Sequence, residues 1–372
     1  MTSTMTRAEA LAALKAGYAD LIPGQKLEYR LFRPEDAPGV GRLFYQTYGD
    51  GYPVDEPYIP ELFIEANRTR RFHAIVACAP DGSIAAHAAI YRSSPPNPRF
   101  YEYGQLMVDK GYRNTSAAFR LHRFAVEHLF GKAEGVDAIY GESVCHHMAT
   151  QKMIQGSGFA ACGLELGLMP ESAYAGEGVT GRASCLYAQR VDKDTPGRLF
   201  LPGEWGKHVR ALMGNWPLTR EVREGDAEVP AGTVTQIEAR HFAFAGVRRV
   251  TVLGIGADFA RRLAAELAAA SRDGAALVQV FLGLGEAWTE HAAQALRQAG
   301  FFWGAYMPLW FGDAAQGPDA MLLQRFMEPA ALAGLRLHTP DMEAIADWVV
   351  QDMRRAAREC GAPEAALLPV PE

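Results

Sequence analysis

Residues 100–129, FYEYGQLMVDKGYRNTSAAFRLHRFAVEHL, leave little freedom in what the chain around them can become. The run ending in Leu106, Met107 and Val108 has strand character, and 110–116 has turn composition. Phe119, Leu121, Phe124, Ala125 and Leu129 then recur at helical spacing. A helix that starts straight after a strand directs unpaired backbone N–H groups, and the positive end of its dipole, into the intervening turn. Such a turn suits a phosphate or another anion.

The flanking segments predict a mixed α/β layer rather than alternating βαβ units. Helix 6–21, strand 27–32 and a helical segment beginning near Pro34 lead into a Tyr- and Pro-rich loop and a second helix. Strands 71–79 and 83–93 follow, joined by Pro80-Asp81-Gly82. After the central unit come strand 138–145, helix 149–158 and strand 161–169. The signal weakens from 170 to 230, where a boundary near 225–232 is expected. The second half then repeats the order: strands 233–238 and 248–254, helix 258–271, strand 277–284, helix 286–299, strands 302–311 and 320–326. Helix–GSGF–strand (151–166) and helix–AGFF–strand (292–306) read as one unit used twice. The layout is thus an extension (1–26), a first domain (27–170), a connection (171–230), a degenerate second copy (231–328) and a helical tail (329–372).

At 372 residues the chain can hold two cores. A net charge of −6 argues against a general nucleic-acid binder or a binder of acidic membranes. Five cysteines without a CxxC pair suggest a reduced, cytoplasmic protein. The first residues lack the apolar core of a signal peptide, and no run is apolar enough to span a bilayer.

Several stretches resemble the GNAT superfamily of acyl-CoA-dependent N-acyltransferases. Val108, Arg113, Ser116 and Ala118 fall on its Val–x(4)–Arg/Gln–x–x–Gly–x–Gly/Ala pattern, with Ser116 where Gly is usual. The segment 147–159 matches the family's later helix ending in Gly-Phe. YGDGYPVDEPYIPELFIEANRT, GESVCHHMATQKMIQGSGFAACGLELGLMP and GFFWGAYMP resemble acyltransferase-like modules found fused to anti-sigma-factor-type ATPases. The resemblance implies a GNAT-like fold used in tandem and an acyl-CoA co-substrate, acetyl-CoA in the simplest case. The acceptor it implies is the amine of a small metabolite or amino-acid derivative. It implies no metal, and it leaves room for a homodimer.

The same resemblance assigns residues. Backbone of Met107 and Val108 would pair with the pantetheine arm. N–H groups of Arg113, Asn114, Thr115, Ser116, Ala117 and Ala118 would surround the diphosphate, with the Thr115 and Ser116 hydroxyls as further donors. Glu102 is the candidate base that takes a proton from the acceptor amine; strand alternation puts it on one face with Gly104, Leu106 and Val108. Glu142 is its rival and a substrate-binding candidate. His147 is a candidate for holding pantetheine or protonating the leaving thiolate, with helix capping as its structural alternative. Ile154 replaces the family's usual Tyr. Tyr45, Tyr48 and Tyr52, among the aromatics 44–63, suit either a pocket wall or core.

Two other readings carry less. Cys145-His146-His147 is poorly disposed for Cys–His nucleophilic catalysis, because adjacent strand residues point apart, and no nearby Cys/His spacing offers a metal its third and fourth ligands. The stretch 252–259, VLGIGADF, mimics a dinucleotide-binding turn but lacks its third Gly, and Asp258 would repel a phosphate. A non-catalytic acyl-CoA or metabolite sensor remains the rival function.

Overall fold

The computed structural model describes residues 5–312 and 317–370. The fold is mixed α/β, and packing divides it into two units: residues 1–94 with 101–139, and residues 95–100 with 140–372.

The first unit opens with α1 (Arg7–Ala16), closed by a capping box in which Thr6 and Glu9 satisfy each other's backbone N–H groups. Next come β1 (Glu28–Leu31), α2 (Ala37–Tyr48), α3 (Pro60–Arg68), β2 (Phe72–Cys78), β3 (Ile84–Tyr91), β4 (Phe100–Val108) and α4 (Ala117–His128). The four strands are antiparallel in the order β1-β2-β3-β4. Helices α2 and α3 each carry a proline in their first turn, where its missing N–H costs nothing. They bury Val40, Leu43, Phe44 and Phe63 against Phe72, Ala74, Val76, Ala89 and Met107. Each large side chain so buried contributes roughly 1.5–3 kcal/mol of transfer free energy. A second, smaller cluster of Ala85, Tyr112 and Ala117 joins the start of α4 to β3.

Strand β4 departs from simple alternation. Gln105 has φ +55° and the register jumps between His87 and Ala89, so Gln105 and Leu106 together oppose Ala88. The bulge reverses the facing of everything after it. Glu102, Gly104 and Met107 lie opposite Tyr91, Ala89 and His87 on one face, whereas Val108 faces the other way, opposite Ala86. The expected row Glu102–Gly104–Leu106–Val108 is therefore wrong beyond Gly104.

The second unit carries β5 (Ala138–Val144), α5 (Ala149–Ile154), β6 (Ala160–Met169) and β7 (Ala183–Val191). A parallel pair, β8 (Gly197–Leu201) and β9 (Arg220–Glu224), brackets α6 (Gly203–Met213). Then follow β10 (Gln236–Phe242), β11 (Val247–Gly254), α7 (Phe259–Arg272), β12 (Leu277–Gly283), α8 (Thr289–Gln298), β13 (Phe302–Met307) and β14 (Ala320–Phe326). The sheet strands of this unit run in the order β5-β7-β6-β13-β14-β12-β11-β10. On one side of the β6/β13 seam β7 lies between β5 and β6, and on the other β14 lies between β12 and β13. Gly163 makes the seam, since a Cβ there would stand 2.1 Å from that of Ala305. The tail is less helical than the sequence suggests. β15 (Ala330–Leu332) and β16 (Ala365–Leu367) pair in parallel around α9 (Pro340–Cys360). That helix, capped by Thr339 and stopped by left-handed Gly361, packs Ile345, Val349 and Met353 across β6 and β13. Among the described residues no helix is long and apolar enough to cross a membrane.

Candidate active site

The turn after β4 is built by its own side chains. Asp109 accepts the Gly111 N–H at 2.8 Å, and its carboxylate also holds Arg42 (2.8 Å) and Gln46 (3.0 Å). Thr115 Oγ1 donates to the Tyr112 carbonyl (2.6 Å) and accepts from the Ala117 N–H (3.2 Å). Asn114 takes φ +62°, a left-handed conformation that Asn tolerates better than most residues. The Thr115 hydroxyl and the Ala117 N–H, both expected to face a ligand, are thus spent inside the turn, and Ala117 is buried. Among the described residues, no protein acceptor meets the N–H groups of Arg113, Asn114, Thr115, Ser116, Ala118 or Phe119. Residues 113–116 are exposed, and the Ser116 side chain makes no capping bond to the helix that follows. A short arc of N–H donors at a helix start is what an anion needs.

Glu102 sits farther back on β4, half-buried, and accepts a 2.5 Å hydrogen bond from the Tyr91 hydroxyl directly opposite on β3. Gly104 makes room for the pair: a Cβ there would lie 2.9 Å from that hydroxyl. On the same face, the bulged Gln105 donates from Nε2 to the Tyr52 hydroxyl at 3.2 Å. Tyr52 packs edge-on to Phe44 and 5.0 Å from Tyr48, and burial pushes its hydroxyl pKa up, so it stays protonated. His87 is fully buried between Phe44 and Phe63, with Nδ1 3.2 Å from the Gln105 carbonyl. Burial depresses its pKa to about 4. The aromatic segment thus splits. Phe44, Tyr58 and Phe63 are core, Tyr48 is 40% exposed, and Tyr45 turns toward Tyr18.

In the second unit, the end of β5 gathers the remaining candidates. Glu142 lies 3.5 Å from Arg249, which also reaches buried Glu165 (3.5 Å) and Gln279 (2.9 Å). This carboxylate therefore shares a cation and is poorly placed to act as a free base. Cys145 is buried and its thiol pKa is pushed up to about 12 by desolvation, which removes it as a nucleophile. His147 Nδ1 accepts the Ala149 N–H at 3.3 Å, a capping contact at the start of α5. Its pKa is lowered by burial and by neighbouring His146, so little imidazolium is present at neutral pH to protonate a thiolate. No Cys or His near His146 and His147 in the sequence offers a further ligand, but a carboxylate distant in sequence comes close. The β6–β7 connection brings Glu177, 30 residues beyond His147, to 2.8 Å from His146 Nε2. Only the folded path of that connection could reveal it.

Residues 39–159 match the model of the acetyltransferase (GNAT) family. No curated protein sequence matches the chain significantly. Solved structures similar to part of it include an N-acetyltransferase from Staphylococcus aureus Mu50, at 16% identity over 45% of this chain and 100% of that one, with a TM-score of 0.36. Another is the ribosomal-protein-S5-alanine acetyltransferase from Vibrio fischeri, at 11% identity over 46% and 96%, with a TM-score of 0.36. A third is the GNAT family N-acetyltransferase YhbS from Escherichia coli in complex with CoA, at 17% identity over 38% and 73%, with a TM-score of 0.28.

The GNAT-matching segment contains Glu102, the bulge and the turn 109–117, and it ends with α5. Another strand–helix turn, after β11, lies outside it and is closed. Ile255 N–H is taken by the Glu286 carboxylate (3.2 Å), Gly256 N–H by Thr235 Oγ1 (3.0 Å) and Ala257 N–H by the Thr233 carbonyl (3.1 Å). Asp258 accepts the Thr235 N–H instead of repelling a ligand. A Cβ on Gly256 would stand 2.3 Å from Thr235 N, so the inserted segment leaves no space for a phosphate.

Proposed function

We propose that the chain is an acyl-CoA-dependent N-acyltransferase, moving an acetyl group from acetyl-CoA to the amine of a small metabolite or amino-acid derivative. One observation carries the reading: the N–H groups of Arg113, Asn114, Thr115, Ser116, Ala118 and Phe119 at the start of α4, unsatisfied among the described residues, lie inside the segment that matches the GNAT family model. In this proposal, N–H groups of Arg113, Asn114, Thr115, Ser116 and Ala118 hold the diphosphate, and Met107 and Val108 backbone pairs with the pantetheine arm. Glu102 takes the proton from the incoming ammonium. The Tyr91 hydroxyl holds one carboxylate oxygen and orients it. Tyr48 and Tyr52 line the acceptor side. The second set of elements acts as a degenerate GNAT-like copy whose own turn is filled by 233–235 and Glu286. The remaining domain limits follow the sequence layout.

The test is release of free CoA thiol from acetyl-CoA in the presence of a panel of small amines. Amine-dependent thiol release at a steady rate supports the proposal. A second reading, an acyl-CoA sensor without turnover, is favoured by Ile154, which is buried where the family's usual Tyr would stand. It predicts a CoA-induced rise in melting temperature with no thiol release.

A further inference from the structure

We propose that His146, His147 and Glu177 bind one divalent transition-metal ion at the end of β5. One donor atom from each lies within 4.8 Å of the others, and the His146 and His147 rings are 4.7 Å apart at 75°. A tetrahedral zinc site with bonds of about 2.0–2.2 Å places its donors roughly 3.3 Å apart. Glu177 is exposed and has three side-chain torsions with which to close that difference.

Proton placement permits the exchange. Without metal, His146 Nε2 faces the Glu177 carboxylate at 2.8 Å and carries the shared proton. His146 is 11% exposed, and its Nδ1 is buried with no hydrogen-bonding partner. A cation at Nε2 requires the ring proton to sit on Nδ1, which has no hydrogen-bonding partner in either tautomer, so the exchange trades the bond to Glu177 for two ligand bonds. His147 Nδ1 gives up a long contact from exposed Ala149, whose N–H then goes to water. Two imidazoles and one carboxylate select a zinc-like or cobalt-like ion over magnesium or calcium. They also leave at least one position for water. The ion would tie the β6–β7 connection to the end of β5, independently of any acyl transfer.

The test is titration of metal-stripped full-length protein, free of any affinity tag, with cobalt(II), followed by its visible absorption and then by zinc competition. One equivalent is expected to bind, and zinc is expected to displace it. Glu177→Gln and His146→Ala should each weaken binding at least tenfold while leaving the metal-free melting temperature unchanged. Bound metal should slow proteolysis within 170–181 in the wild type and not in Glu177→Gln. Absence of cobalt binding, or binding undiminished in both variants, overturns the proposal.

Discussion

Replacing Ser116 by Glu separates the folding role of the β4–α4 turn from its proposed ligand role, because the two respond with opposite sign. The Ser116 side chain is exposed and makes no capping bond, so its removal costs the helix little. A carboxylate at that position meets the positive end of α4 and stabilises it by about 0.3–1 kcal/mol. Against a bound diphosphate, the same carboxylate is repelled. At a separation of about 5 Å and an effective dielectric between 20 and 80, each charge pair costs about 0.8–3.3 kcal/mol. Two phosphate charges, screened by salt at an exposed site, leave a net penalty of about 2 kcal/mol, or roughly thirtyfold in Kd. Calorimetric titration with CoA should show that loss. Titration with pantetheine, which lacks the diphosphate, should show no change, and the ligand-free melting temperature should stay level or rise. If Ser116→Glu binds CoA within twofold of wild type, the diphosphate does not lie against this turn.

Three further outcomes follow from other parts of the structure. Glu102→Gln should lower kcat by about 10²–10⁴ with CoA affinity nearly intact, and undiminished thiol release would exclude Glu102 as the base. His87 has a pKa depressed to about 4 in the fold against about 6.5 when unfolded, so it stays neutral when buried. Its contribution is therefore fully present above pH 6.5 and is lost as pH falls toward 4, by about 3 kcal/mol. Urea denaturation at pH 7 and pH 4 should show that loss in the wild type but not in His87→Leu; equal pH slopes would refute it. Gly163→Ala should destabilise the second unit by at least about 2 kcal/mol, because its Cβ would overlap Ala305 at the β6/β13 seam. A melting temperature within a degree of wild type would mean that the seam can open.

Periodicity located the strand–turn–helix unit well, because 3.6- and 2-residue patterns report directly on which face is buried. Expected strand 71–79 appears as Phe72–Cys78, and the helix after the turn as Ala117–His128. Where the reading failed, a local rule had been overridden by a contact distant in sequence or by a change of backbone state. Alternation along β4 assumed extended φ throughout, and Gln105 at +55° has no signature in FYEYGQLMV. Thr115 looked like a ligand donor because hydroxyl chemistry is the same whether it faces a ligand or its own turn. Glu177 could not be associated with His146 without the path of the β6–β7 connection.

The two strand–helix turns show how far sequence alone can discriminate function. Each follows a strand and opens a helix, and the second carries two glycines, Gly254 and Gly256, where the first has none between Gly111 and α4. Glycine content would favour the second as the anion site, since Gly permits close approach. The structure reverses that ranking through hydrogen-bond accounting: backbone donors at 255–257 are satisfied by Glu286, Thr235 and Thr233, while those at 113–116 are not. Gly256 is required there because Thr235 backbone occupies the space that a ligand would need. Removing Glu286 alone would therefore not open a second site, since the backbone of 233–235 would still fill it. The capacity of such a turn depends on what its amides already hold, and in the second turn those partners come from 21 to 31 residues away in the chain.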